Sequence, residues 1–212
     1  MPSVAFEAFL PEVLPEAHLA PQPLAISAIR NACYDFCRSS LVWTEVQDPT
    51  NYSKGVADYD LDAPSGAQVI SLLSLIVDGT RAVYPTTIEA VVATKPGWTT
   101  DTGPVTAYLQ KTPSSVTLIS VPDTDGVFVP TVAYTPTRKS TSIDSTIYEL
   151  YFEAIKYGAL WKLKATTNTP WADPTGAVYY ERLFKAKTLE ANNERVRGNA
   201  RTSVSVAPRP FI

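Results

Sequence analysis

The chain has 212 residues, 45% of them hydrophobic and 18% charged, with a net charge of -3. That balance fits one packed domain and excludes a wholly disordered, collagen-like or mucin-like chain. No apolar run approaches the roughly 18 residues of a membrane span, and the opening MPSVAFEAFL lacks the basic start of a signal peptide.

The charge is unevenly spread. Residues 1–62 carry 3 basic and 9 acidic groups, whereas residues 181–212 carry 7 basic and 3 acidic groups. Such asymmetry suits oriented contacts with charged partners or between copies; ordinary surface composition explains the count equally well. Two cysteines, Cys33 and Cys37, cannot build a disulfide framework. Four apart on one helix, they read as small buried hydrophobes.

Residues 1–20 form a lead segment, with Phe6, Phe9, Leu10, Val13 and Leu14 as apolar anchors and one or two helical turns near 7–14. The first long helix is predicted at 23–38. Ala25, Ala28, Ile29, Ala32, Cys33, Phe36 and Cys37 recur there at i, i+3, i+4 spacing. Strands follow at 41–46 and 55–61, then 69–77 and 81–84 joined by the Asp78-Gly79 hairpin signal. Residues 85–94 read as a short helix or a loop. Strands at 106–110 and 116–121 are joined by a turn at Lys111-Thr112-Pro113, and 127–134 closes the β region. Asp144 or Ser145 caps a helix to about 164, and Asp173-Pro174 opens the last one, to about 197. Gly198 suits the position after its end. The remaining NARTSVSVAPRPFI is an arm with no periodicity long enough to fold alone.

The expected fold class is α+β: a small antiparallel α-helical bundle with an inserted antiparallel β-sandwich or barrel-like region and an extended C-terminal arm. The expected divisions are a lead at 1–20, the bundle at 21–40 and 144–198, the insertion at 41–143, and the arm at 199–212. The last two helices are expected to pack antiparallel.

Little in the sequence points to catalysis. The lone His18 lies in a proline-rich loop, and no glycine-rich phosphate loop occurs. Asp58, Asp60 and Asp62 alternate on a strand, which reads as a solvated face or a subunit contact rather than a calcium loop. Trp43, Trp98, Trp161 and Trp171 read as packing residues. No catalytic, metal or cofactor site is assigned.

A constellation of segments resembles the head-to-tail adaptor (connector) proteins of short-tailed bacteriophages. PDTDGVFVPTVAYTP (122–136) is similar to that family's last hairpin. Ile143-Asp144 precedes a helix with YFEAIKYGALWKL (151–163), and TNTPWADPTGAVYYERLFKAKTLEANNERVRG (167–198) resembles the family's link into a long final helix. YDLDAP and LLSLIVDGTRAVYP fit less specifically. The resemblance covers most of residues 21–198 and leaves residues 1–20 unmatched.

The resemblance implies a structural protein of the virion neck, assembled in the host cytoplasm. Its subunits form a ring of about twelve copies under cyclic symmetry. The ring's partners are the portal protein above, a tail tube or nozzle protein below, and genomic DNA that passes through without specific binding. Arg182, Lys185, Arg195 and Arg197 are the expected ring or portal contacts. Arg201, Val204, Val206, Arg209, Phe211 and Ile212 are the expected portal-docking anchors of an arm that is loosely held in the free subunit. The alternative is a receptor- or glycan-binding β module on a helical stalk, for which Tyr52, Tyr59, Tyr84 and Tyr134 would need to form an exposed aromatic row. A cell-wall hydrolase would need two carboxylates in an apolar cleft, and nothing places them there.

Overall fold

A computed structural model describes residues 2–198. In chain order it contains β1 (Ser3–Ala5), a 3-10 turn (Phe6–Phe9), α1 (Leu10–Val13), α2 (Gln22–Ser40), β2 (Thr44–Val46), β3 (Thr50–Tyr52), β4 (Asp58–Asp60), β5 (Ala67–Val77) and β6 (Arg81–Pro85). Then come α3 (Ile88–Thr94), β7 (Thr102–Gly103), β8 (Ala107–Thr112), β9 (Ser115–Ile119), β10 (Val121–Pro122), β11 (Gly126–Pro136), β12 (Ser142–Asp144), α4 (Ser145–Lys164) and α5 (Pro174–Val196). The class is α+β.

Local chemistry accounts for the helix ends. Pro23 sits in the first turn of α2, where a missing N–H costs nothing. Leu41 ends that helix in a left-handed conformation, φ 55°, with its N–H on the Cys37 carbonyl. The Asp144 carboxylate caps α4 by accepting from the Thr146 N–H at 2.8 Å, and Asp173 caps α5 by accepting from Gly176 N–H at 2.9 Å. Asp144→Ala should therefore cost about 0.5–2 kcal/mol, read as a lower urea midpoint with an unchanged m-value.

Three helices pack against one another. Gly158 on α4 lies where an added Cβ would meet the Phe184 ring of α5 at 2.8 Å and Ala32 Cβ of α2 at 2.9 Å. Trp161 tilts against Phe184, and Lys162 Nζ pairs with Asp35 at 2.6 Å. The contacts between Lys164 and Asp173 at one end, and around Glu149 and Glu194 at the other, run α5 back along α4.

The β region, expected as an antiparallel sandwich or barrel-like insertion, is barrel-like but not purely antiparallel. One eight-stranded sheet, with path β2-β11-β5-β6-β8-β9-β4 and β3 also on β11, curls into a half-barrel. It is mixed, because β6 and β8 are parallel (Tyr84 opposite Ala107), and a separate β7–β10 pair is parallel too. The reason is α3: the ambiguous 85–94 segment is a helical crossover, which parallel neighbours require. The Asp78-Gly79 hairpin forms as expected, both residues at positive φ. Other boundaries move. The 41–46 strand shrinks to Thr44–Val46 because Leu41 caps α2, and the 55–61 strand to Asp58–Asp60 behind Gly55 at φ 82°. The Lys111-Thr112-Pro113 turn shifts to Pro113 and Ser114, since Thr112 still pairs with Ser115.

The core is continuous from the lead segment through the helices into the sheet. Phe6, Phe9 and Val13 are fully buried. Phe9 stacks on Phe152 at 4.9 Å and meets Tyr148 edge-on at 5.0 Å. The lead is also tied by β1, which pairs antiparallel with β12, and by Lys156, which bridges Glu12 at 3.2 Å and Glu16 at 2.9 Å. The other face of α2 lies on β11, where Thr135 Oγ1 donates to the Tyr34 carbonyl at 3.1 Å.

Candidate interaction site

The described residues hold no group of three or more His, Cys, Asp or Glu side chains placed to share a metal. His18 is exposed. Cys33 and Cys37 are free and buried, and burial pushes both thiols up; the Asp144 carboxylate adds to this at Cys37. Such thiols stay protonated and inert. Asp58 is held below the usual carboxylate range first by the Thr117 hydroxyl, against the opposing effect of burial, and then by Lys111 at 3.2 Å. Asp60 and Asp62 face solvent. Three of the tryptophans pack against neighbouring side chains: Trp43 edge-on to Tyr134, Trp98 under Lys111, Trp161 on Phe184.

The chemistry that is left is that of surfaces. Helix α5 buries Ala177, Phe184, Thr188 and Ala191. A second ridge, off that face, carries Val178, Arg182, Lys185, Leu189 and Val196 at spacings of three, four and seven. Val178 is 49%, Leu189 61% and Val196 68% exposed. Spacings of this kind align side chains along one side of a helix. Lys185 makes only a surface pair with Glu181, and Arg182 and Arg197 are exposed with no ion pair among the described residues. Arg195 differs from the other three basic residues. Its Nε donates to the Ser40 carbonyl at 3.3 Å and its guanidinium reaches Asn192 at 3.1 Å, so it ties α5 to the end of α2. Beside the ridge, a groove of ≈ 430 Å³ runs between α2 and α5 with Trp161 and Phe184 in its lining.

A second surface lies at the rim of the sheet. The curl brings the segment after β2 to the segment after β4. Gln47 Nε2 donates to the Asp62 carbonyl and, at 3.0 Å, to the Tyr134 hydroxyl. The seam leaves a cleft of ≈ 570 Å³ lined by Glu45, Val46, Asp48, Pro49 and Asp62 among others. Val46 stands 66% exposed at its edge.

A model of the SU10 adaptor protein family matches residues 7–209. The chain belongs to that family of bacteriophage adaptors. A search of curated proteins finds no match to the chain. The match reaches into the lead segment and the arm, both beyond the residues whose pattern carried the resemblance. The adaptor family is structural, not enzymatic. Among the adaptor's described residues no helix is long and apolar enough to cross a membrane.

The aromatic row required by a glycan-binding module does not form on the adaptor. Tyr52 and Tyr134 are 5% and 1% exposed and Tyr59 packs on Phe128; only Tyr84, at 74%, stands clear. Alternation in the sequence could not distinguish the two faces of a sheet that curls on itself. The apolar members of the α5 ridge escape the sequence for a different reason. Val178, Leu189 and Val196 are apolar residues off the buried stripe, whereas charge singles out Arg182, Lys185, Arg195 and Arg197. The arm anchors Arg201, Val204, Val206, Arg209, Phe211 and Ile212 lie outside the described residues.

Proposed function

We propose that the adaptor is a ring subunit that sits beneath the portal, joins capsid to tail and continues the DNA channel. The observation that carries this is the α5 ridge. Its apolar and basic side chains stand exposed together, with the Lys185–Glu181 surface pair as their one ion pair among the described residues, and that mixture suits a subunit contact better than a solvated face. In this reading neighbouring copies, about twelve of them, meet through Arg182, Lys185 and Arg197 against acidic groups of the first third. Arg195 is already engaged within its own chain and contributes least. Exposed ion pairs are worth about 0–1 kcal/mol each, so Val178, Leu189 and Val196 must supply most of the contact. The insertion at 41–143 faces outward or toward the tail tube or nozzle, and the arm at 199–212 docks on the portal. DNA slides through without sequence-specific binding, in keeping with a net charge of -3.

Native mass measurement and negative-stain images, of the adaptor alone and mixed with its portal, test the ring. The arm is tested by truncation after Gly198. Attachment to portal rings should be lost while helical circular dichroism is kept; undiminished attachment removes the arm as the anchor.

A further inference from the structure

We propose that the chain's own residues 199–206 dock in cis beside the free edge of β2, in the cleft at the seam of the sheet. The docking goes beyond the ring reading and does not depend on it.

The edge is open in a definite way. Glu45 pairs with Val132, Gln47 N–H bonds the Pro130 carbonyl at 2.9 Å, and Tyr134 N–H bonds the Trp43 carbonyl at 2.8 Å. Those residues turn their backbone groups toward β11. By the alternation of an antiparallel ladder, Val46 turns its N–H and carbonyl the other way. An exposed edge carrying an apolar side chain invites another strand.

The arm starts within reach. The bond from Arg195 Nε to the Ser40 carbonyl holds the last turn of α5 against the end of α2, which leads directly into β2. From Ser40 to Asp48 the chain spans at most about 28 Å, whereas the fourteen residues after Gly198 extend to about 46 Å.

The arm also fits by composition. Residues 201–206, RTSVSV, contain no proline and alternate, so Val204 and Val206 share one face in an extended conformation and can cover Val46. Arg201, within the docked segment, carries the positive charge that the cleft lacks. Glu45, Asp48 and Asp62 line it, and none of the three forms an ion pair among the described residues. Guanidinium groups pair with carboxylates in two-pronged fashion. Pro208 and Pro210 then end the added strand. Docked this way the arm is kept from other surfaces until a stronger site competes for it.

The test is amide hydrogen exchange followed by mass spectrometry, on the full chain and on the chain ending at Gly198, at low salt and at several dilutions. Truncation should speed exchange across 44–48 at least about tenfold, with rates across 128–134 unchanged. In the full chain, Asp48→Lys with Asp62→Lys should reproduce that acceleration; both side chains are exposed, and the bond from Gln47 uses the Asp62 carbonyl. Equal rates with and without the arm would overturn the proposal. So would protection that fades on dilution, which would give the cleft to the arm of a second copy. Should the double variant misfold, the truncation comparison still decides.

Discussion

Phe9→Ala should lower the unfolding free energy by about 3–5 kcal/mol, the range for removing a fully buried phenylalanine. The ring has no exposed surface and lies between Phe152 and Tyr148 of α4, so its loss leaves a cavity walled by stiff aromatic groups. Urea denaturation followed by far-UV circular dichroism measures the loss. Leu19→Ala is the control: at 66% exposure it should change stability by no more than about 0.5 kcal/mol. A loss below about 1 kcal/mol for Phe9→Ala would mean that the lead segment is an appendage and not part of the core.

Gly158→Val should be nearly as damaging, by about 3 kcal/mol, through excess volume instead of a void. Any Cβ at this position collides with two atoms of the Phe184 ring and with Ala32, and the Val γ-methyls add further crowding where α2, α4 and α5 meet. The better helix propensity of a non-glycine residue recovers under about 1 kcal/mol, so the sign is not in doubt. The second-site change Phe184→Leu, which shortens the obstructing side chain, should restore part of the loss when combined with Gly158→Val. Absence of any rescue would show that the collision is not with that ring. Gly103→Ala, where nothing lies within 4 Å of the added atom, serves as the neutral comparison.

How much of this was legible in the sequence depends on how local each signal is. The caps at Asp144 and Asp173, the proline in the first turn of α5 and the Asp78-Gly79 turn act over two to four residues, and all are found in place. The parallel pairing of β6 with β8 was missed because it depends on reading 85–94 as a helix, which seven residues of α3 hardly announce. The pairing of β1 with β12 leaves no local trace at all, since three-residue strands have too little alternation to detect. For the candidate site, the ridge on α5 is half legible: its charges stand out in the sequence, and the apolar residues that flank them fit no stripe. The cleft at the seam was not legible, because it exists only once the sheet has curled and brought residue 47 to residue 62.

The union of β1 with β12 bears on how the chain is made. Ser3 pairs with Asp144, and Phe9 has its ring partners at Tyr148 and Phe152. At synthesis rates of about 5–20 residues per second, a nascent lead segment waits on the order of ten to thirty seconds for α4 to emerge. Contacts of such long sequence separation form slowly even then. The lead segment thus leaves the ribosome well before its partners and settles late, and for that interval Phe6, Phe9 and Val13 are bare apolar surface for which chaperones and other nascent chains compete.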